Sequence, residues 1–194
     1  MPPRASTLSF ALLSLAACAS TPASSDQPLN RMTATVGGRQ LDEDLWDPVD
    51  RQATLGFEYS RGNADTPIGF EVGVFGSEDT AINILGSSLD VEGKTVEVYG
   101  GARKDFGHGA FRPYVGGGLS WITAKFEGDT GSASTFDDDS SAAGYLHAGV
   151  DYFPSAHFFL GLDLRVLFGS DITLFGVDGD ADYQQIGLHL GVAF

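Results

Sequence analysis

His157-Phe158-Phe159-Leu160-Gly161-Leu162-Asp163-Leu164-Arg165-Val166-Leu167-Phe168-Gly169 sets Phe158, Leu160, Leu162, Leu164, Val166 and Phe168 at alternate positions, with Phe159, Gly161, Asp163, Arg165 and Leu167 between them. A period of two belongs to a strand, whose successive side chains point to opposite faces, whereas a helix repeats near 3.6. One face of this strand is unbroken hydrocarbon and the other carries an acid and an arginine.

The same rhythm recurs on both sides of it. Downstream, Ile186, Leu188, Leu190, Val192 and Phe194 oppose Gln185, Gly187, His189 and Gly191, and upstream Leu146, Ala148, Val150 and Tyr152 oppose Tyr145, His147, Gly149 and Asp151. Extending outward gives segments 32–41, 53–61, 67–77, 95–106, 111–126, 143–153, 157–169 and 183–194, and no sustained helical period from Met32 onward. The count is even, as single-chain bacterial membrane barrels require. Connections alternate between short (62–66, 107–110, 154–156) and long (42–52, 78–94, 127–142, 170–182), as expected where short inner turns alternate with long external loops. Most of the 26 carboxylates fall in the long connections, among them Asp42, Glu43, Asp44, Asp137, Asp138, Asp139, Asp178, Asp180 and Asp182. Tyr59, Phe111, Tyr152, Phe158 and Phe194 gather at the short-turn end, while Trp121, Phe126 and Phe168 gather at the long-loop end, as two interfacial girdles would. The predicted fold is all-β, an eight-stranded antiparallel transmembrane up-and-down barrel.

A formal net charge of −15 argues against a nucleic-acid partner, which would need clustered cations. The apolar stretch 8–17 follows Arg4 and runs into small residues, the layout of a secretory signal. It is too short to span a bilayer, and no later segment approaches the roughly 20 continuous apolar residues of a membrane helix. Residues 1–17 are read as a signal peptide, 18–30 as a flexible Ser/Thr/Pro/Ala tether and 31–194 as the barrel. Leu15-Ala16-Ala17-Cys18 resembles the lipobox of bacterial lipoproteins, which implies acylation of Cys18; ordinary cleavage after Ala17-Cys18-Ala19 is the alternative.

Arg112-Pro113-Tyr114-Val115-Gly116-Gly117-Gly118-Leu119, the hairpin rhythm and the alternating strand ending in Phe194 resemble the outer-membrane β-barrel domain family, which includes the membrane domain of outer-membrane protein A. That resemblance implies a bacterial outer-membrane location, contact with membrane lipid and lipopolysaccharide, and recognition of terminal Phe194 by the barrel-assembly machinery. The family shares a fold rather than one activity.

A soluble lipocalin-like lipid-binding lipoprotein would line its cavity with the apolar face instead. The opposite face here carries Glu58, Glu71, Glu97, Arg103, Arg112, Asp151, Asp163 and Arg165, with Arg39 joining them, too many charges for an apolar cavity. An eight-stranded barrel is just wide enough for side chains to fill, so these nine form an expected salt-bridged lumen. A narrow channel is the competing reading. For a lipid-modifying enzyme the candidate bases are His108, His147, His157 and His189 and the candidate nucleophiles Ser120 and Ser155, none visibly matched into a pair with a third, orienting group. Asp178-Gly179-Asp180-Ala181-Asp182 lacks the distal Glu of a dedicated calcium loop. The expectation is therefore a monomeric structural or surface-interaction protein with no catalytic site, no cofactor and no specific metal site, whose surface partner the sequence leaves open.

Overall fold

Eight such strands laid flat would leave two edges of unpaired backbone groups, and hydrocarbon offers no water to satisfy them. The chain closes them. The computed structural model describes residues 29–41, 46–82, 90–129 and 134–194. Its strands are β1 (Asn30–Leu41), β2 (Arg51–Arg61), β3 (Gly69–Ala81), β4 (Asp90–Asp105), β5 (Phe111–Asp129), β6 (Ser134–Tyr152), β7 (Phe158–Phe168), β8 (Ile172–Leu174), β9 (Val177–Gly179) and β10 (Tyr183–Ala193). Eight of them form one closed antiparallel barrel in the order β1-β10-β7-β6-β5-β4-β3-β2, and β8 and β9 form a separate two-stranded hairpin. The closing seam pairs β1 with β10 from Arg31↔Ala193 to Leu41↔Tyr183.

The two faces sort by chemistry. Val36, Leu55, Phe57, Val98, Leu119, Leu146, Leu164, Leu188 and many like them are exposed on the outside, while arginines and carboxylates are buried inside. A continuous apolar belt of this kind has no stable place in water and matches a membrane barrel. The enclosed space is polar, so it is not the apolar cavity of a lipocalin.

Three of the long connections are more ordered than their composition suggests, and within 78–94 β3 and β4 stay paired up to Ala81↔Val91. Segment 127–142 is largely strand, since β5 and β6 remain paired up to Asp129↔Ser134. Segment 170–182 holds the β8–β9 hairpin, whose Ile172↔Gly179 to Leu174↔Val177 register leaves Phe175 and Gly176 as a two-residue loop. Both have positive φ, 52° and 76°, as a type I′ turn requires. Gly176 adopts that conformation without a Cβ penalty; Phe175 does not.

At the long-loop end, Trp46, Ile122, Ala124, Ile172, Leu174, Ala181 and Tyr183 bury one another in a hydrophobic cluster, with Phe126 packed against it. The hairpin is thus folded down over the mouth. At the short-turn end Phe153 and Phe159 stack at 5.1 Å beside Ala193. Charges occupy the space between these two apolar ends.

Candidate functional site

Inward positions on facing strands carry opposite charges, and closure brings together residues far apart in sequence. Near the short-turn end, Arg31 Nη1 donates to Asp105 at 2.7 Å and to Asp151 at 3.3 Å. Arg103 reaches Asp151 at 2.9 Å, Asp105 at 3.2 Å and Glu58 at 3.3 Å. His189 Nε2 lies 2.7 Å from Asp151 Oδ1. At mid-height His147 is held from both sides, Nδ1 2.9 Å from Asp163 and Nε2 3.0 Å from Glu71. Tyr114 donates to Asp163 at 2.6 Å and Tyr145 to Glu71 at 2.7 Å. Higher still, Glu97 accepts from Arg165 at 2.6 Å, Arg39 at 3.1 Å, Ser120 at 2.8 Å and Tyr183 at 2.5 Å. Isolated buried charges are costly, but here the carboxylates and guanidiniums are interlocked and tyrosine hydroxyls take up further lone pairs.

Rings fill what the charges leave. The Arg165 guanidinium lies 4.0 Å from the Tyr99 centroid and 3.9 Å from that of Tyr145, and Arg103 lies 3.6 Å above Tyr114. Lumen glycines are slots for these rings and for the imidazoles. A Cβ on Gly116 would stand 2.2 Å from His147 Nε2, and one on Gly161 would stand 2.4 Å from His189 Nε2. The void at mid-height, bordered by Glu58, Arg103, His147 and Asp163, is about 20 Å³, room for one water.

Eight of the nine lumen residues named from sequence, namely Arg39, Glu58, Glu71, Glu97, Arg103, Asp151, Asp163 and Arg165, meet in these contacts. Arg112 sits apart, at the start of β5. Its Nε donates to Gly109 O at 3.1 Å and its guanidinium stands 3.7 Å over the Phe153 ring. Asp105, a carboxylate at the same end of the lumen, is already taken by Arg31 and Arg103. Sequence reading missed Arg31 and Asp105, both almost fully buried. The signal was available: continuing the inward parity Glu97, Tyr99, Gly101, Arg103 by one step reaches Asp105, and continuing Thr35, Thr33 reaches Arg31.

The histidines and serines weighed as catalysts are engaged elsewhere. Ser120 donates to Glu97, Ser155 Oγ accepts from Phe158 N, and His157 Nδ1 lies 3.0 Å from Ala193 O. Neither serine is hydrogen-bonded to His147, His157 or His189.

The external acids also have work the sequence did not suggest. Asp139 accepts from Thr173 N at 2.8 Å and Asp137 from Phe175 N at 2.6 Å, which pins the β8–β9 hairpin against β6. Asp139 also accepts from Ser140 N at 2.7 Å, and the Thr173 and Ser140 donors together hold its carboxyl below the usual carboxylate range, Thr173 having the larger effect. Asp182 accepts from Gly169 N and Ser170 N, and Trp46 Nε1 donates to Asp180 O at 2.9 Å. The carboxylates of Asp137, Asp139 and Asp182 thus accept from backbone donors and build the cap, while Asp180 contributes its main-chain carbonyl.

At the C-terminus Phe194 exchanges backbone hydrogen bonds with Asn30 at 2.9 and 3.0 Å while its ring stays exposed. Cys18 lies outside the described residues.

Similarity to known proteins agrees with this architecture. Among solved structures, the Neisserial surface protein NspA superposes with a TM-score of 0.61 at 15% identity, covering 85% of this chain and 97% of that one. The attachment invasion locus protein Ail of Yersinia pestis gives 0.58 at 15% identity, covering 87% and 100%; that protein has also been solved with the heparin analogue sucrose octasulfate. The N-terminal barrel of Pseudomonas aeruginosa OprF gives 0.50 at 18% identity, covering 87% and 100%. At these identities the likeness concerns the fold. No curated protein matches the sequence significantly. The family described as outer membrane protein beta-barrel domain matches residues 9–194, and the chain belongs to that family, a protein of the bacterial outer membrane.

Proposed function

We propose that this barrel is a sealed, monomeric structural and surface-interaction protein, whose lumen is a plug and whose contacts with partners are made by its acidic external end. The observation that carries the reading is the filled interior. Ion pairs and rings interlock from Arg31 to Arg39, leaving a mid-height void of only about 20 Å³. Above them the mouth is covered by Trp46 and the β8–β9 hairpin. A solute would have to break several buried pairs at once, each loss stranding an unpaired charge. The binding of a polysulfated sugar, which belongs to Ail, does not transfer readily, because the cap here displays carboxylates that would repel it. No catalytic group, cofactor or metal enters this reading.

In the same proposal residues 1–17 are the export signal, 18–30 the tether and 31–194 the barrel. Cys18 is the acylation site, and exposed Phe194 is the handle for the barrel-assembly machinery. Membrane lipid and lipopolysaccharide surround the belt. The test is reconstitution of the purified protein into planar bilayers, together with labelling of an Asp138→Cys variant on intact cells by a membrane-impermeant maleimide. The expected results are no discrete current and efficient labelling. Stepwise ion current would replace the plug with the channel reading, and failure to label would remove the surface role.

A further inference from the structure

The tip of the β8–β9 hairpin holds an aromatic residue at a strained backbone position. Phe175 sits at the first position of a type I′ turn with φ of 52°, where Asn, Asp or Gly would fit without strain. Its ring is 50% exposed, Val177 beside it is 54% exposed, and Phe136, adjacent to the Asp137 that anchors the hairpin, is 63% exposed. These residues are beyond the membrane belt. Phe126, expected in the girdle from sequence, instead packs inward against the cap cluster, which leaves Trp121 as the outward ring of that edge on β5. Along β6, Phe136 is six positions past Ala142, the register partner of Trp121, roughly 20 Å of strand. Polar Ser140 and Asp138 occupy the outward positions between. Lipid therefore does not cover them, and water is their default neighbour.

Strain and exposure of an aromatic group at one point are the marks of a displayed contact. The display is also held rigid: Asp137 accepts from Phe175 N, Asp139 from Thr173 N, and Phe175 meets Phe126 edge-on at 6.2 Å. A pre-organised anchor loses less entropy on binding. The surroundings then choose the partner. Asp137, Asp138, Asp139 and Asp178 flank the apolar tip, and the cation closest in register, Lys125, already pairs with Glu127 at 3.2 Å and lies over Phe136. A second copy would bring the same acids, and lipopolysaccharide or a sulfated sugar would bring more negative charge.

We propose that Phe175, with Val177 beside it, is the apolar anchor of a docking surface for a cationic protein segment that carries a large apolar side chain. The inference rests on the surface-interaction reading above and names the partner's chemistry.

The test uses the full-length mature protein in nanodiscs of zwitterionic lipid, with empty discs subtracted. Three short synthetic peptides are the probes: one alternating Lys with Leu, one alternating Lys with Ser, and one alternating Glu with Leu. The Lys/Leu peptide is expected to bind about tenfold or more tightly than the Lys/Ser peptide, and the Glu/Leu peptide is expected not to bind. Phe175→Asn creates an Asn-Gly turn suited to this geometry. It should leave thermal unfolding unchanged or raised while reducing Lys/Leu binding to the Lys/Ser level. Asp138→Asn with Asp178→Asn should weaken both cationic peptides. Equal binding of Lys/Leu and Lys/Ser, or undiminished binding by Phe175→Asn, would overturn the anchor. A dimer lost in Phe175→Asn would instead assign the surface to a second copy. Successful surface labelling at position 138 with no peptide binding would sink this inference alone, whereas failed labelling would sink the surface reading itself.

Discussion

Arg165 shows how much of the interior depends on single groups. Its Nη2 donates to Glu97 at 2.6 Å, its Nε to Tyr183 at 2.9 Å, and its plane is held between Tyr99 and Tyr145. Removing the guanidinium leaves Glu97 in a nearly anhydrous site with one cation fewer. Arg165→Ala should therefore cost about 3–5 kcal/mol, while Asp138→Ala, on the hydrated outer surface, should stay within about 0.5 kcal/mol. Urea-induced unfolding in lipid vesicles measures both. Comparable midpoints would mean that the Arg165–Glu97 pair contributes little. Arg165→Lys should recover only part of the loss, because an ammonium cannot reproduce the planar fork and ring stacking together. The direction in which Arg165 and Glu97 point was legible from alternation alone. Their pairing was not, because Arg165 lies on β7 and Glu97 on β4, and a one-dimensional pattern does not say which strands face each other across a barrel.

The external hairpin is the element where sequence reading fell short, for a physical reason. Within the membrane one face of each strand must be apolar, so alternation marks the strand plainly. Above the membrane both faces meet water or the cap, and β5 and β6 continue through Lys125, Glu127, Asp138 and Ser140 with no such mark. The pattern vanished while the ladder did not. The acids that looked like loop residues are acceptors for backbone donors of the hairpin, and this coupling has a pH signature. Asp139 is held below its ordinary value of 3.8 by the donors Thr173 N and Ser140 N. A carboxyl whose folded pKa is depressed stabilises the folded form above its unfolded value and loses that contribution as pH falls through the folded one. The protection factor of the Thr173 amide in hydrogen exchange should thus be constant near neutrality and fall as pH drops below about 3.8. Asp139→Asn, which keeps an acceptor oxygen but does not titrate, should flatten that dependence. A wild-type protection factor that stays level through the same range would show that the Asp139 bond does not hold the hairpin down.

At the scale of the whole molecule, anchoring and closure are separate questions with separate measurements. Intact-mass analysis should find a mature chain that begins at Cys18 and carries a diacylglyceryl group. Cys18→Ser should remove that mass without preventing insertion, since the strands alone place the belt in lipid. An unmodified chain starting at Ser20 would withdraw the acylation proposal and leave the barrel untouched. Closure depends instead on the β1–β10 seam, where the first and last strands meet along a full ladder from Arg31↔Ala193 to Leu41↔Tyr183. Without an edge to fray, the folded protein should resist SDS and migrate differently before and after boiling. Gly37 is the place to test whether the seam is responsible. A Cβ there would lie 2.2 Å from Ile186 O and 2.8 Å from Gly187 Cα, both backbone atoms of β10, whereas a Cβ on outward-facing Gly76 meets nothing within 4 Å. A side chain can swing away from such an overlap, but a paired strand can yield only by moving off its partner. Gly37→Ala should therefore lower the temperature at which the unboiled form converts to the boiled one by several degrees, with Gly76→Ala close to wild type. Equal conversion temperatures for the two variants would locate the resistance to SDS in the lumen network rather than in the seam that closes it.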